Sequence, residues 1–281
     1  IKNDLALGRN CNRYQCARFR WNMLRESASP VMSAAPLRRA AAALADLIMP
    51  PLCLACHTPL ASHDALCSHC WGRIDFIRPP LCDRLGLPMP YDTGGTMISA
   101  AAAADPPDYD RARAVAQFEG VMRDLVHDLK FRDRHDTRRL LGRWLVEAGG
   151  DLMSDADVVV PVPLPRGRLF RRRFNQSAIL GQEVARLACV EFAPLALVRT
   201  RKPRPQVGLT RTQRGQNVAG AFAVPPERLG HIAGAKVVLV DDVITTGATI
   251  GACARALKRA GASRVDALVL AVTTDSTHVT P

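Results

Sequence analysis

The sequence predicts an α/β protein in which a small zinc ribbon precedes a Rossmann-like parallel sheet. The sheet is predicted by apolar, β-branched runs that alternate with helical patterns, most clearly over residues 236–272. Such alternation favours parallel strands joined by helices on the faces of an open sheet. The ribbon is predicted by two Cys-x-x-Cys pairs within residues 53–70, a spacing typical of zinc sites.

Length and composition limit the functional classes. The chain has 281 residues, of which 48% are hydrophobic, enough for one full domain and a small second one. Its formal net charge of +12 favours anionic partners such as nucleotides or nucleic acid. No run approaches the roughly 18 apolar residues that a membrane span needs. We therefore expect a cytoplasmic protein without membrane insertion.

Residues 1–35 are predicted to lie outside the folded domains. Residues 1–31 contain six Lys and Arg against two Asp and Glu, and they show no hydrophobic periodicity. We interpret the segment as a disordered basic tail or as an upstream extension, since Met32 looks like a natural start. A targeting peptide is the alternative, but the apolar stretch 40–49 contains Asp46 and lacks a small-residue cleavage site.

Three further segments follow along the chain. Residues 36–89 are predicted to form an amphipathic helix, ended by two prolines, and then the ribbon. Residues 90–110 are rich in Gly, Ala, Pro and Asp and are predicted to be a linker. Residues 111–275 are predicted to form the α/β domain. Its strands are expected over 113–118, 157–160, 236–241 and 264–272. Its helices are expected over 120–130, 138–148 and 248–260, and a further helix is expected to follow residue 177 and to end at about residue 189.

The predicted metal ligands are Cys53, Cys56, Cys67 and Cys70. Two Cys-x-x-Cys turns can place four thiolates tetrahedrally around Zn²⁺, at about 2.3 Å each. Disulfides are disfavoured because we find no export signal, and a redox pair is expected at a helix start that follows a strand. We therefore predict a structural zinc ion, which by itself does not define a function.

A second, incomplete ribbon follows the first. Cys82 and the Gly-Leu-Pro turn at 86–88 look like the first half of another ribbon in which one of two cysteines is missing. No later cysteine pair completes it, and residues 93–99 contain no cysteine. Because a single thiol cannot hold zinc, we expect no metal at this second site.

Residues 237–249 carry the most informative functional pattern. An apolar run ends in Asp241 and Asp242, and a hydroxyl-rich turn then leads into a helix. The helix N-terminus and the hydroxyls can bind a phosphate, while the glycine permits close approach or a positive φ. Two carboxylates can accept hydrogen bonds from sugar hydroxyls or help to position Mg²⁺. The pattern predicts a ribose-phosphate site whose phosphate loop comprises Thr245, Thr246, Gly247, Ala248 and Thr249.

Two other interpretations of this segment are weaker. A buried strand with two solvated aspartates leaves the coincidence of acids, hydroxyls and glycine unexplained. A Walker B strand also ends in Asp, but it requires a G-x-x-x-x-G-K-[ST] loop, which the sequence lacks.

Two basic stretches accompany this motif. Residues 166–173 hold five arginines, among them Arg166 and Arg173, directly after a predicted strand. They fit a pyrophosphate site facing the acidic pair, a nucleic-acid contact in which phenylalanines stack on bases, or a solvated loop. Residues 199–217 are basic and interrupted by prolines, so they are expected to form a lid or a surface loop.

Taken in order, these parts resemble the ComF family of competence-associated proteins, which join an N-terminal zinc ribbon to a type I phosphoribosyltransferase domain. The resemblance covers about residues 37–273. It includes the ribbon, the strand end at 161–163, the Phe-Asn-Gln-Ser motif at 174–177 and the stretch 205–220. Residues 237–249 are similar to the motif with which such domains bind phosphoribosyl pyrophosphate (PRPP).

The resemblance implies roles for the predicted site residues. Asp241 and Asp242 would bind the ribose hydroxyls of PRPP as the catalytic acidic pair, and Mg²⁺ would accompany PRPP. The loop 245–249 would hold the 5′-phosphate. Thr245 stands where purine-salvage members carry an acid thought to act as general base, which disfavours a salvage activity.

Two functions are expected from this resemblance. The first is a phosphoribosyltransferase, a pentosyl-transfer enzyme, with an unidentified acceptor and an association with DNA uptake. The alternative is a non-enzymatic competence factor that binds single-stranded DNA or a helicase partner and uses a degenerate PRPP pocket as a nucleotide sensor.

Overall fold

A computed structural model describes residues 50–131, 137–165, 167, 174–200 and 220–273. Several expectations lie outside these residues: the extension 1–35, the helix over 36–49, and the arginine cluster with Arg166 and Arg173. Most of the basic stretch 199–217 also lies outside them.

The core is a five-stranded parallel sheet, so the predicted α/β fold is confirmed. Its strands lie in the order β1, β7, β6, β2, β3, with β1 at Ala112–Gln117, β2 at Val158–Pro161, β3 at Glu191–Phe192, β6 at Lys236–Ile244 and β7 at Arg264–Val272. All neighbouring pairs in this sheet are parallel. A separate antiparallel pair flanks the basic stretch, with β4 at Val198–Arg199 and β5 at Phe222–Ala223.

The helices connect and cover the strands. Within the described part of the chain they are α1 Ser68–Trp71, α2 Ala100–Ala104, α3 Gly120–Phe131, α4 Thr137–Ala148, α5 Gly150–Met153, α6 Gln176–Ala188, a 3-10 helix Pro226–His231, and α7 Ala248–Arg259. Among the described helices, none has both the length and the apolar character to cross a bilayer.

Successive residues of the central strand β6 face opposite layers, as the two-residue period of a strand requires. Val238 and Val240 pack in one core with α3, α4 and α6, whereas Val237 and Leu239 pack in a second core with α7. Burial on both faces explains why this segment reads as a continuous apolar run rather than an alternating one. Helices therefore cover both faces of the sheet.

The direction in which successive strands are added to the sheet reverses between β2 and β6. From β2, helix α6 leads outward to β3, whereas from β6, helix α7 leads the opposite way to β7. The boundary between β2 and β6 is therefore the topological switch point of the sheet. Ligands of open α/β sheets bind in the crevice outside the carboxyl ends of the strands at such a point.

The cysteine-rich module is fixed to the edge strand β1. Phe76 forms an antiparallel bridge with Ala116 of that strand. The rings of Trp71, Phe76 and Trp144 pack together with centroids 4.8, 5.4 and 5.5 Å apart. Because Trp144 belongs to α4, this ring cluster joins the module to the helical layer of the sheet domain.

The segment 90–110, predicted to be a linker, contains helix α2 and is tied to α7 by ion pairs. Asp108 pairs with Arg255, and Asp110 lies 2.8 Å from the Nζ of Lys258. The segment is therefore packed against the sheet domain. The domain boundaries drawn from the sequence remain predictions.

Candidate functional site

The acidic pair lies at the carboxyl end of β6, at the switch point. The sequence indicated that the strand stops at Asp241, but β6 continues through Asp242 to Ile244. The reason is that pairing with β7 extends to Ile244 and Val272, whereas pairing with β2 ends at Val240 and Pro161. At Asp241 and Asp242, β6 is therefore still bordered by β7 along one edge. Its other edge, beyond the end of β2, is open to the crevice.

Asp241 is held by two donors on one oxygen. The Ser177 Oγ donates a hydrogen bond to Asp241 Oδ1 at 2.7 Å, and the Asp242 N–H donates to the same oxygen at 2.9 Å. Desolvation, followed by repulsion from the Asp242 carboxylate, raises the pKa of Asp241 to about 7. The two hydrogen bonds and the charge of Lys130 oppose this rise. The pair therefore sits where added positive charge is strongly favoured.

Asp242 is paired with a lysine from a different layer. The Nζ of Lys130, near the end of α3, lies 3.0 Å from Asp242 Oδ2, with side chains 20% and 15% exposed. Lys130 thus places one positive charge directly at the crevice. A cation at this point can neutralise the acidic pair or contact an anionic ligand.

The predicted phosphate loop has the geometry that the motif requires. Gly247 has φ +73°, in the left-handed region that favours glycine, and it is the N-cap residue of α7. The first intrahelical bond runs from the Gly251 N–H to the Gly247 carbonyl at 2.8 Å. The preceding amides of the helix have no intrahelical acceptor and carry the positive end of its dipole. The loop is therefore suited to hold an anion.

Asp241 and the loop border a common space. A cavity of about 80 Å³ is lined by Asp241 and by residues 243–250. A second cavity, of about 350 Å³, shares residues 244–248 with it and is also lined by Leu85, Leu87 and Tyr109. The structure thus brings together all the predicted loop residues, Thr245, Thr246, Gly247, Ala248 and Thr249, next to Asp241.

The start of α6 reaches the site from the neighbouring strand. The Asn175 side chain accepts a hydrogen bond from the Ser177 N–H at 3.1 Å and donates to the Val162 carbonyl at 3.0 Å. This double contact links the end of β2 to the helix and presents Ser177 to Asp241. Gln176 is fully buried, and its Oε1 has no hydrogen-bond partner within the described residues.

Two residues at this site were not among the predicted site residues. Ser177 belongs to the Phe-Asn-Gln-Ser motif at 174–177, which was noted in the sequence without a role being assigned to the serine. Lys130 lies far from Asp242 in sequence and carries no local pattern that indicates a ligand contact. Arg166 and Arg173, predicted to contact pyrophosphate, lie outside the described residues.

The four predicted zinc ligands converge in the N-terminal module. Their Sγ atoms all lie within 4.8 Å of one another, and the Cys56 and Cys67 sulfurs are 3.6 Å apart. Tetrahedral zinc at about 2.3 Å from each sulfur requires an edge of about 3.8 Å, so the arrangement fits the metal. The N–H of Cys67 donates to the Cys53 sulfur at 3.3 Å, and the N–H of Cys70 donates to the Cys67 sulfur at 3.4 Å. These bonds orient the sulfurs and support a structural zinc ion.

Fold and site together define a phosphoribosyltransferase-type domain that follows a zinc ribbon. Comparison with protein families agrees: residues 44–102 match the double zinc ribbon domain, and residues 175–278 match the phosphoribosyl transferase domain. The DNA utilization protein YhgH of Escherichia coli K12 is 33% identical over 227 residues, covering 78% of this chain and 96% of that protein. Competence protein F of Haemophilus influenzae is 26% identical over 225 residues, with the same coverage of each chain. The chain belongs to the ComF family.

Solved structures include more distant similarities. The glutamine PRPP amidotransferase from B. subtilis is 22% identical, covering 50% of this chain and 30% of that chain, with a TM-score of 0.35. The purine phosphoribosyltransferase from Pyrococcus horikoshii is 18% identical, covering 48% of this chain and 77% of that chain, with a TM-score of 0.29.

Proposed function

We propose that the chain binds PRPP together with Mg²⁺ and transfers its phosphoribosyl group to an acceptor that is still unidentified, in association with DNA uptake. The observation that carries the proposal is the placement of an acidic pair and a glycine-capped helix N-terminus around one crevice at the switch point of the sheet. A phosphorylated sugar presents a phosphate at one end and a diol in the middle, which matches these two groups.

The acidic pair is suited to the ribose. Carboxylate oxygens accept hydrogen bonds from adjacent hydroxyls, and the strand geometry of Asp241 and Asp242 holds both residues next to the loop. Carboxylates are also ligands that Mg²⁺ accepts, usually with several waters and substrate phosphates. The bound ion would supply positive charge to the pair and to the pyrophosphate group of the substrate. The raised pKa of Asp241 supports this arrangement, because a nearby cation stabilises its ionised form.

The expected reaction is a displacement at C1 of the ribose. The acceptor nucleophile forms a bond to C1 as the bond from C1 to the pyrophosphate oxygen breaks, and the electron pair leaves with pyrophosphate. The acceptor proton passes to solvent. Lys130, once released from Asp242, would neutralise charge on the leaving group, and positioning of the two reactants would supply much of the rate. The adjoining 350 Å³ cavity offers room for an acceptor beside the loop.

Titration calorimetry with PRPP and Mg²⁺ tests this proposal. We expect wild-type protein to bind PRPP in a Mg²⁺-dependent manner and Asp242→Asn to lose binding while keeping its fold. Asp92→Asn is the matched control, since it makes the same charge change at an exposed loop residue outside the site. Equal affinity in the Asp242→Asn protein contradicts the proposal.

A second candidate function is binding of single-stranded DNA by a non-enzymatic factor, and one surface favours it. Exposed arginines of α4 and α6 line a cavity of about 500 Å³, namely Arg138, Arg139 and Arg186. The side chains of Arg139 and Arg186 are 66% and 60% exposed. Glu183 and Asp64 pair with two of these arginines, but the surface remains basic.

Fluorescence anisotropy of a labelled single-stranded oligonucleotide distinguishes this second candidate. If several phosphates are neutralised, affinity falls steeply with salt, and charge reversal at Arg138 and Arg139 reduces the slope. The Asp242→Asn protein should bind DNA like the wild type. A flat salt dependence, or binding unchanged by the charge reversal, removes this candidate.

A further inference from the structure

We propose that the second ribbon of this chain is a metal-free replica of the first, so that the chain binds one zinc ion where a double zinc ribbon implies two. The domain matched by residues 44–102 is a double ribbon, and the sequence already suggested that its second site had lost ligands. The structure identifies the residues that occupy the four ligand positions of the second ribbon. It also shows which contacts with the sheet domain support this ribbon.

The first half of each ribbon has the same backbone hydrogen bonds. In the first ribbon, the His57 N–H donates to the Cys53 carbonyl at 3.0 Å, and the Cys53 N–H donates to the Thr58 carbonyl at 2.8 Å. In the second, Gly86 donates to Cys82 at 2.7 Å, and Cys82 donates to the Leu87 carbonyl at 2.8 Å. Corresponding residues are 29 positions apart in each case, as Cys53 and Cys82 are.

The surrounding geometry follows the same correspondence. Isolated bridges join Leu52 to Pro59 in the first ribbon and Leu81 to Pro88 in the second. The turn residue has a positive φ in both, at 60° in His57 and 66° in Gly86. The residue of the second ribbon that corresponds to Cys56 is therefore Leu85.

The second half of each ribbon also matches, through the N-cap residues of two short helices. The Cys67 N–H donates to the Cys53 sulfur at 3.3 Å, and the Ser99 N–H donates to the Cys82 sulfur at 3.2 Å. Cys67 caps α1 by accepting from the Cys70 N–H, and Ser99 caps α2 by accepting from the Ala102 N–H. Ser99 and Ala102 thus occupy the positions of Cys67 and Cys70.

The four positions of the second ribbon do not suit zinc. They hold Cys82, Leu85, Ser99 and Ala102, which offer one thiol, one hydroxyl and two side chains without a ligand atom. Structural zinc sites use four Cys or His ligands. Cys82 is fully buried and Ala102 is 1% exposed, so these two positions are closed to solvent.

Contacts with the sheet domain replace the metal as support. The Arg113 side chain, 9% exposed, lies 2.8 Å from the Asp83 carboxylate in the second ribbon and 2.7 Å from that of Asp151. A Cβ on Gly86 would come within 2.4 Å of the Ala112 carbonyl, so the turn lies directly against β1. The second ribbon is therefore held against the sheet through its turn and through Asp83.

The second position of this ribbon also lies close to the phosphate loop. Leu85, the counterpart of Cys56, lines the 350 Å³ cavity beside the phosphate loop together with Thr245 and Gly247. The replica therefore forms part of the wall of the candidate site.

Zinc content of the purified full-length chain, measured by inductively coupled plasma mass spectrometry, tests the proposal. We expect one zinc ion per chain, lost in Cys56→Ser and kept in Cys82→Ser. Two ions per chain in the wild type, or loss of zinc on Cys82→Ser, overturns the proposal.

A restored ribbon tests the correspondence of positions. The combined variant Leu85→Cys, Ser99→Cys and Ala102→Cys is expected to bind two zinc ions per chain and to double the thiolate-to-metal absorption after cobalt substitution. Adding Cys82→Ser to this variant should return it to one ion. A folded triple variant that still binds one ion overturns the proposed correspondence. If the triple variant fails to fold, the Cys82→Ser measurement still decides whether the second ribbon holds metal.

Discussion

Replacing Asp241 by asparagine is expected to make the ligand-free protein more stable at neutral and alkaline pH. Asparagine has the same shape, and its Oδ1 can accept the hydrogen bonds that Asp241 receives from Ser177 and from the Asp242 N–H. The substitution therefore removes the charge without removing the contacts. It isolates the cost of burying the Asp241 charge away from water and next to the Asp242 carboxylate.

The magnitude follows from the pKa of Asp241, which is raised from 3.8 to about 7 in the folded protein. Below pH 3.8 the carboxyl is protonated in both states and contributes nothing. Between the two values only the unfolded chain ionises it, so the stability of the wild type falls as pH rises, and the loss is complete above about 7. At about 1.4 kcal/mol per pH unit, the full penalty is about 4 kcal/mol.

Urea unfolding of both proteins at pH 5 and pH 8, without Mg²⁺ or chelator, measures the effect. The stability advantage of Asp241→Asn should grow by roughly 2 to 3 kcal/mol between these two pH values. Asp155 provides a control of opposite sign, because Arg264 lowers the pKa of Asp155 to about 2 and its ion pair stabilises the fold at both pH values. Asp155→Asn should therefore destabilise the protein. An advantage of Asp241→Asn that is absent, or independent of pH, refutes the reasoning.

Four further predictions concern ligand and metal. Affinity for PRPP with Mg²⁺, measured by calorimetry, should rise about tenfold from pH 6 to pH 8 as Asp241 ionises, and the Asp241→Asn protein should lack that rise. Lys130→Met should weaken PRPP binding by roughly tenfold to a hundredfold, the usual loss for a charge-assisted contact, whereas Lys130→Arg should retain most of it. Zinc removal should change tryptophan fluorescence, because α1 carries both Cys70 and the Trp71 ring that packs on Phe76; unchanged emission after verified zinc loss would argue against that coupling. Leu85→Glu should weaken PRPP binding more than Leu85→Gln, since only the former puts a negative charge beside the phosphate loop.

Much of the fold could be predicted from local patterns. The strand β7 and the helix α7 begin where expected, because apolar periodicity and the glycine at the helix start are local signals. The end of β6 was predicted too early, at Asp241. Polar side chains suggested that the strand stops, but strand length depends on backbone pairing with β7, which continues to Ile244.

The site was only partly predictable for the same reason. The acidic pair and loop form one contiguous motif, whereas Ser177 lies 64 residues from Asp241 and Lys130 comes from another layer. Only the sheet topology brings them together. Likewise, the residue types of Ser99 and Ala102 give no sign of a ribbon, and their equivalence to Cys67 and Cys70 depends on hydrogen bonds from backbone N–H groups to side chains.

A crystal structure of the chain with Mg²⁺ and a PRPP analogue that cannot transfer its ribosyl group tests the central claim most directly. The account predicts the 5′-phosphate on the amides and hydroxyls of residues 245–249 and the ribose hydroxyls on Asp241 and Asp242. An analogue bound elsewhere, with Lys130 still paired with Asp242, would contradict it.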